Sequence, residues 1–199
     1  MLYPTLNQLL GNVDLQLLDQ ILKGRYEPSA RILDAGCGEG RNTHYFIRTG
    51  YDVWGIDQHP TALRLLRLTG KSLHPNFDPE KFIQADLTAI PFPDRSFDAV
   101  IACAVLHFAN DEATFKQMLD QLWRVLRPSG SLFIRMATDI GQPPASPVAQ
   151  PSTNQLPFLL TQPLLDHLVE RYSPRWLEPK RIEQVADHPA QMTLVWQKP

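Results

Sequence analysis

Residues 32–42 read ILDAGCGEGRN, Ile32 to Asn42. A short apolar run ends in an acid, Asp34, and three glycines follow at alternate positions, Gly36, Gly38 and Gly40. After a strand, glycine lets the backbone turn sharply and leaves no Cβ between the main chain and a ligand. Backbone N–H groups at the start of the following helix then face that ligand. So far this describes any nucleotide-binding α/β protein, and the spacing narrows it. The dinucleotide fingerprint G-x-G-x-x-G closes on a glycine that lets helix and strand approach beside a pyrophosphate. Here the loop is G-x-G-x-G, and Arg41 stands in the sixth place. An acid at Asp34 would repel a diphosphate and attract a cationic group. A pyrophosphate is therefore disfavoured.

Outward from the loop, the pattern alternates. Arg31–Ala35 reads as a buried strand, RNTHYFIRTG as a helix stopped by Gly50, and YDVWGIDQ as a strand ending at Asp57. HPTALRLLRLTG reads as a helix with Pro60 in its first turn and Gly70 after its end. KFIQADL gives a third strand and FDAVIACAVL a fourth. In NDEATFKQMLDQLWRVLRP, residues Phe115, Met118, Leu119, Leu122, Trp123 and Leu126 recur at helical spacing. Pro128 is expected to close that helix and Gly130 to turn the chain into a fifth strand, SLFIRM. Val13–Lys23 is an amphipathic helix ended by Gly24, and TQPLLDHLVERY is a helix near the C-terminus. The tail reads as two antiparallel strands joined around His188-Pro189. Strands separated by helices imply one α/β domain over residues 1–199, with a mostly parallel sheet and helices on both faces. Right-handed crossovers collect the loops after the strands on one rim, where ligands of such sheets bind.

Residues from about 139 to 160 break the pattern. Six of the 18 prolines lie between Pro143 and Pro163. The stretch suits a surface loop, or a lid over the same rim.

Composition excludes several classes. The 199 residues are 43% hydrophobic and 20% charged, with net charge -2. A basic footprint for nucleic acid is not visible. Cys37 and Cys103 have no paired spacing, so neither a metal site nor a disulfide is suggested, and two reduced thiols fit a cytoplasmic protein. MLYPTLNQLL lacks a basic region before an apolar stretch, so no signal peptide is expected. No run approaches 18 apolar residues, so no membrane span is expected.

Other residues at the rim refine the ligand. Asp57 ends the second strand about 20 residues after the first loop glycine, where an acid accepts hydrogen bonds from ribose hydroxyls. Asp86 ends the third strand and would accept from the exocyclic amine of a base. The implied ligand has a ribose, a purine and a cationic or zwitterionic end, without phosphates.

The blocks ILDAGCGEGRN, VWGIDQHP, FIQADLTAIPFPDRSFDAVIACAVLHF and LWRVLRPSGSLFIRM resemble, in order and spacing, the successive motifs of the class I S-adenosylmethionine-dependent methyltransferases, in their small single-domain branch. They cover about Arg31 to Met136. GEGRN adds a weaker likeness to tellurite-resistance-type enzymes. The resemblance implies a Rossmann-like, seven-stranded, mostly parallel sheet with an antiparallel C-terminal edge strand. It implies that Gly36, Cys37, Gly38 and Gly40 wrap the amino-acid part of the cofactor, with Asp34 on its ammonium end. Asp57 would hold the ribose, Gln58 would border the adenine, Asp86 and the Leu87 backbone would meet its edge, and Cys103 would line the methionine portion.

For the acceptor the residues offer less. His107, in AVLHFAND, titrates near neutrality and would serve as a base or orient an acceptor, unless it is only bonded within its loop. Arg135 on the fifth strand would pair with an acidic substrate or with a scaffold acid. Arg41 would cover the cofactor carboxylate or cap the loop. Tyr26, Trp176 and Trp196 read as packing. These features imply S-adenosylmethionine-dependent methyl transfer to a small molecule, by a monomer or homodimer. The alternative is a non-catalytic S-adenosylmethionine-binding module. A nicotinamide-dependent oxidoreductase is disfavoured by Arg41 and Asp34.

Overall fold

Strands that are apolar on both faces demand cover on both faces, and helices supply it. The computed structural model describes residues 10–141, 157–185 and 188–199. In it β1 spans Arg31–Ala35, β2 Asp52–Asp57, β3 Phe82–Gln84, β4 Phe97–Cys103 and β5 Leu126–Thr138. They pair in parallel in the order β3-β2-β1-β4-β5, so their carboxyl ends share one rim. After β5 come β6 (Arg175–Trp176), β7 (Arg181–Val185) and β8 (His188–Gln197). β8 lies antiparallel to β5, and β6 and β7 each pair antiparallel with β8. β6 and β7 together fill one edge position, so the sheet is seven positions wide although it holds eight segments. The β7–β8 hairpin matches the sequence reading, and two-residue β6 carries no signal of its own.

Helices α1 (Leu15–Leu22), α2 (Thr43–Arg48), α3 (Pro60–Leu73), α4 (Glu112–Val125) and α5 (Gln162–Tyr172) cover the sheet. Alternation sorts neighbouring strand residues to opposite faces. Ile32, Ile101 and Phe133 pack with Leu17, Phe46 and Leu63 from α1, α2 and α3. Leu33, Val100 and Ile134 pack with Leu119, Leu122, Leu165 and Leu168 from α4 and α5. Side-chain caps start two of the helices: Asp14 accepts from Gln16 N at 2.9 Å, and Asp111 accepts from Thr114 N at 2.7 Å. Tyr26 and Trp196 are buried, as packing residues should be.

Two boundaries differ from the sequence reading. Gly70 does not stop α3, which runs on to Leu73. A Cβ at Gly70 would lie 2.4 Å from the Phe77 ring, so the glycine makes room for an aromatic side chain inside the helix. Pro128 does not close α4, which ends at Val125. Residues 127–130 instead bulge within β5, between the pairs Phe97↔Leu126 and Ala99↔Ser131. Of the Pro-rich stretch, residues 142–156 lie outside the described residues, so the lid reading does too. No helix among the described residues is long and apolar enough to cross a membrane.

Candidate functional site

β1 ends in the glycine loop, and β2 holds it from beside. Gly36 N and Cys37 N both donate to the Ile56 carbonyl, at 2.8 and 3.0 Å. Gly36 has φ +77°, and a Cβ there would lie 2.3 Å from Val105 Cγ2 on the loop after β4. Gly38 has φ +52°, and a Cβ there would meet nothing within 4 Å. The first glycine thus closes the loop against a neighbour, and the second leaves open space.

Asp57, at the end of β2, is 8% exposed. Its Oδ2 accepts from Gly38 N at 2.8 Å and its Oδ1 from His59 N at 2.8 Å. A carboxylate has about four acceptor sites, so capacity remains for two hydroxyls. Asp86 follows β3, and its Oδ1 accepts from Thr88 N and Oγ1 at 2.7 and 2.6 Å. Gly36, Gly38, Asp57, Gln58, Asp86 and Leu87 all border one cavity of about 510 Å³ at the carboxyl rim. Six residues expected to hold the cofactor therefore converge. A larger groove of about 800 Å³ lies between α5 and residues 176–180 and includes none of them.

The other expected cofactor residues do not border the cavity, for separate reasons. Asp34 is 2% exposed and turns to the start of α2, where Thr43 Oγ1 donates to its Oδ2 at 2.5 Å. Burial pushes its carboxyl up to about 6, against the pull of the Thr43 hydroxyl and the Arg41 charge. It therefore braces the loop from below. Cys37 packs its thiol against Gly55, where a Cβ would lie 2.8 Å from its Sγ, so only its backbone faces the loop. Burial raises that thiol's pKa far above the usual range. Gly40 sits over the His44 ring and Leu66. Arg41 donates to Cys103 Sγ at 3.5 Å and lies 4.0 Å from Asp14 Oδ2, so it joins the loop to the start of α1. Cys103 is buried and its thiol is pushed up to about 12 by burial.

The acceptor candidates also separate. Arg135 is held by the scaffold, with Nε 3.0 Å from Asp14 Oδ2 and a terminal nitrogen 2.6 Å from Glu183 Oε2. Of its two sequence readings, the scaffold pairing is the one the geometry fills. His107 lies on a single 3-10 turn, Leu106–Phe108, and does not border the cavity. Burial lowers its pKa, so the ring is neutral at physiological pH. Among the described residues its Nδ1 has no hydrogen-bond partner.

Sequence reasoning missed part of the wall. Val105 and Phe108 border the cavity on either side of His107 in the chain, and Asn110, Thr114 and Met118 extend the wall into the start of α4. The only signal was their place after β4. The side chains that turn inward are set by the 3-10 turn and by Ala104, whose φ of +58° redirects the chain.

Comparison with known proteins follows the same region. A family model described as a methyltransferase domain matches residues 33–134. A demethylmenaquinone methyltransferase from Renibacterium salmoninarum is 36% identical over 107 residues, which are 54% of this chain and 41% of that protein. The chain therefore aligns with less than half of that relative's length. A solved structure named as a SAM-dependent methyltransferase from Methanosarcina mazei superposes with TM-score 0.72 at 20% identity, covering 89% of this chain and 96% of that one. A magnesium protoporphyrin IX methyltransferase from Synechocystis, solved with bound SAH, gives TM-score 0.71 at 13% identity, with 92% and 81% covered. At such identities the two structures establish a shared fold.

Proposed function

We infer function from one premise: the chain belongs to the methyltransferase-domain family, whose model its residues 33–134 match. On that premise it is an S-adenosylmethionine-dependent methyltransferase acting on a small-molecule acceptor. The observation that carries this is the bond from Gly38 N to Asp57 Oδ2, which holds glycine loop and carboxylate as one unit on the wall of the rim cavity.

The residues fit the cofactor. Gly38 offers open space and backbone, Asp57 keeps acceptor capacity for a ribose, and Asp86 and Leu87 stand on the same wall. When bound, S-adenosylmethionine supplies a methyl group already activated by its sulfonium. What the chain contributes is alignment and exclusion of water. The tied loop fixes the donor end, and Val105 and Phe108 bring apolar surface to the wall. A general base is required only where the acceptor must lose a proton. Burial lowers the His107 pKa and so favours the neutral ring that task needs, but the residue does not border the cavity, which makes it a secondary candidate.

The small-molecule reading is supported by the near-neutral charge and by the size of the cavity, which lies in the range of ligand pockets. The two relatives named for their acceptors act on unlike molecules, a demethylmenaquinone and a magnesium protoporphyrin, so they do not choose one for this chain. Titration calorimetry with S-adenosylmethionine and S-adenosylhomocysteine tests the proposal. Saturable heat is expected for both, and no heat at high micromolar protein would overturn it. Methyl turnover across an acceptor panel separates an enzyme from a non-catalytic binding module.

A further inference from the structure

The groove of about 800 Å³ between α5 and residues 176–180 shares no residue with the rim cavity. Its volume lies in the range of small-molecule sites. Leu165, Val169, Leu177 and Pro179 give it apolar walls. Both walls are fixed. Leu177 N donates to the Val195 carbonyl at 2.9 Å, and Trp176 pairs with Trp196 of β8. Lys180 Nζ donates to Gln162 Oε1 at 2.8 Å, which ties the end of the 176–180 strap to the start of α5. α5 ends at Tyr172, and Ser173, at φ +44°, turns the chain back. The strap therefore runs antiparallel to α5, with Trp176 toward the Glu170 end and Lys180 at the Gln162 end. Eight helical steps separate those ends, about 12 Å.

The two ends differ in charge. At the Gln162 end, Lys180 is accompanied by Asp166, whose Oδ1 accepts from Gln162 Nε2 at 2.6 Å. Glu178 is compensated by Lys23 and Arg25, each at 3.0 Å, and by Arg181 at 3.7 Å. Arg171, next to Glu170 in the chain, is held by Asp120 at 2.8 Å. Glu170 itself is exposed on the groove and has no ion pair among the described residues. Trp176 is 37% exposed, and its ring is braced edge-on by the buried Trp196, with centroids 5.6 Å apart. An uncompensated carboxylate and a fixed aromatic face thus share one end of an apolar groove.

We propose that this groove is a second ligand site, which takes a small organic ammonium ion with an apolar body. The ammonium group meets Glu170 and the indole face of Trp176, and the body lies along Leu165 and Val169. A carboxylate alone would attract any cation. An indole face favours an organic ammonium, and apolar walls reward carbon that a hydrated metal ion lacks. An anion gains less, because Lys180 is already bonded to Gln162 and Asp166 bonds the same glutamine. The proposal is independent of what the rim cavity binds.

The test is an NMR titration of the full chain, followed at the Trp176 indole N–H and the Leu177 amide. Three probes share one body and differ in charge: 4-phenylbutylamine, 4-phenylbutanol and 4-phenylbutyrate. The amine should saturate the site at least about fivefold more tightly than the alcohol, and the carboxylate should bind most weakly. Glu170→Gln should bring the amine down to the alcohol's affinity and leave the alcohol unchanged. Trp176→Leu should weaken the amine more than the alcohol. Both side chains reach solvent, so the ligand-free melting temperature should hold in each variant, which separates lost binding from lost folding. Saturating S-adenosylhomocysteine should not displace the amine. Equal affinities for the three probes, an unchanged amine affinity in Glu170→Gln, or displacement by S-adenosylhomocysteine would each overturn the proposal. So would self-association of the native chain that Trp176→Asp abolishes, since the groove would then be a contact between copies.

Discussion

Gly38 and Asp57 are joined by a 2.8 Å bond from the glycine's backbone N–H to the carboxylate Oδ2. The loop after β1 and the acid at the end of β2 are therefore one structural unit, and the acid has two jobs. It shapes the loop, and it offers its remaining lone pairs to a ligand.

Asp57→Ala should consequently show two effects. Two backbone N–H groups, of Gly38 and His59, lose their acceptor, which should lower stability by about 1–3 kcal/mol. Affinity for S-adenosylhomocysteine should fall at least about tenfold, the equivalent of one lost charge-assisted hydrogen bond. Urea unfolding and calorimetry measure the two separately. An unchanged affinity in a folded variant would reject the ribose assignment.

The two loop glycines should respond differently to the same substitution. Gly36→Ala places a Cβ 2.3 Å from Val105 Cγ2 at φ +77°, combining overpacking with left-handed strain. It should cost about 2–4 kcal/mol. Gly38→Ala meets no atom within 4 Å, so only the strain of φ +52° applies, about 1–2 kcal/mol. Its methyl group enters the space left for the ligand, so binding should suffer more than folding. Equal losses of stability in the two variants would contradict the packing described.

Asp34 sets a pH dependence. Its carboxyl is pushed by burial up to about 6, from an ordinary 3.8, so the folded chain keeps a proton that the unfolded chain releases. The stability contributed by that proton is full below the unfolded pKa and is lost as pH rises through about 6. Asp34→Asn cannot ionise and still offers Thr43 an acceptor. Its stability relative to the native chain should therefore rise across that window, by up to about 3 kcal/mol, and then level off. Urea unfolding from about pH 2.8 to about pH 7, about one pH unit beyond each end of the window, checks it. A difference constant with pH would show that Asp34 does not keep its proton.

Much of the site was readable because its parts are local. The strand before the loop, the glycine spacing and the acid at the next strand's end each announce themselves within a few residues. Parallel pairing of β1 with β2, Ala35 opposite Ile56, then brings them together without further information. The rest shares another cause. Gly70 looked like a helix stop, since nothing nearby in sequence shows that Phe77 folds back over it. For Arg135 the sequence left a substrate acid and a scaffold acid both open, since its partners Asp14 and Glu183 come from distant parts of the chain.

The sequence by itself determined the order of elements, the rim on which the loops gather, and the kind of ligand the rim suits. Apolar periodicity, turn residues and residue spacing act locally, and chain chirality does the rest. Only the tertiary structure decided which side chains face that ligand. Asp34 turns to Thr43, Cys37 to Gly55 and Arg41 to Cys103, while Phe108 stands at the cavity wall. The direction of a side chain in a loop depends on left-handed backbone angles and on neighbours brought from elsewhere, and neither is written in the spacing of residues.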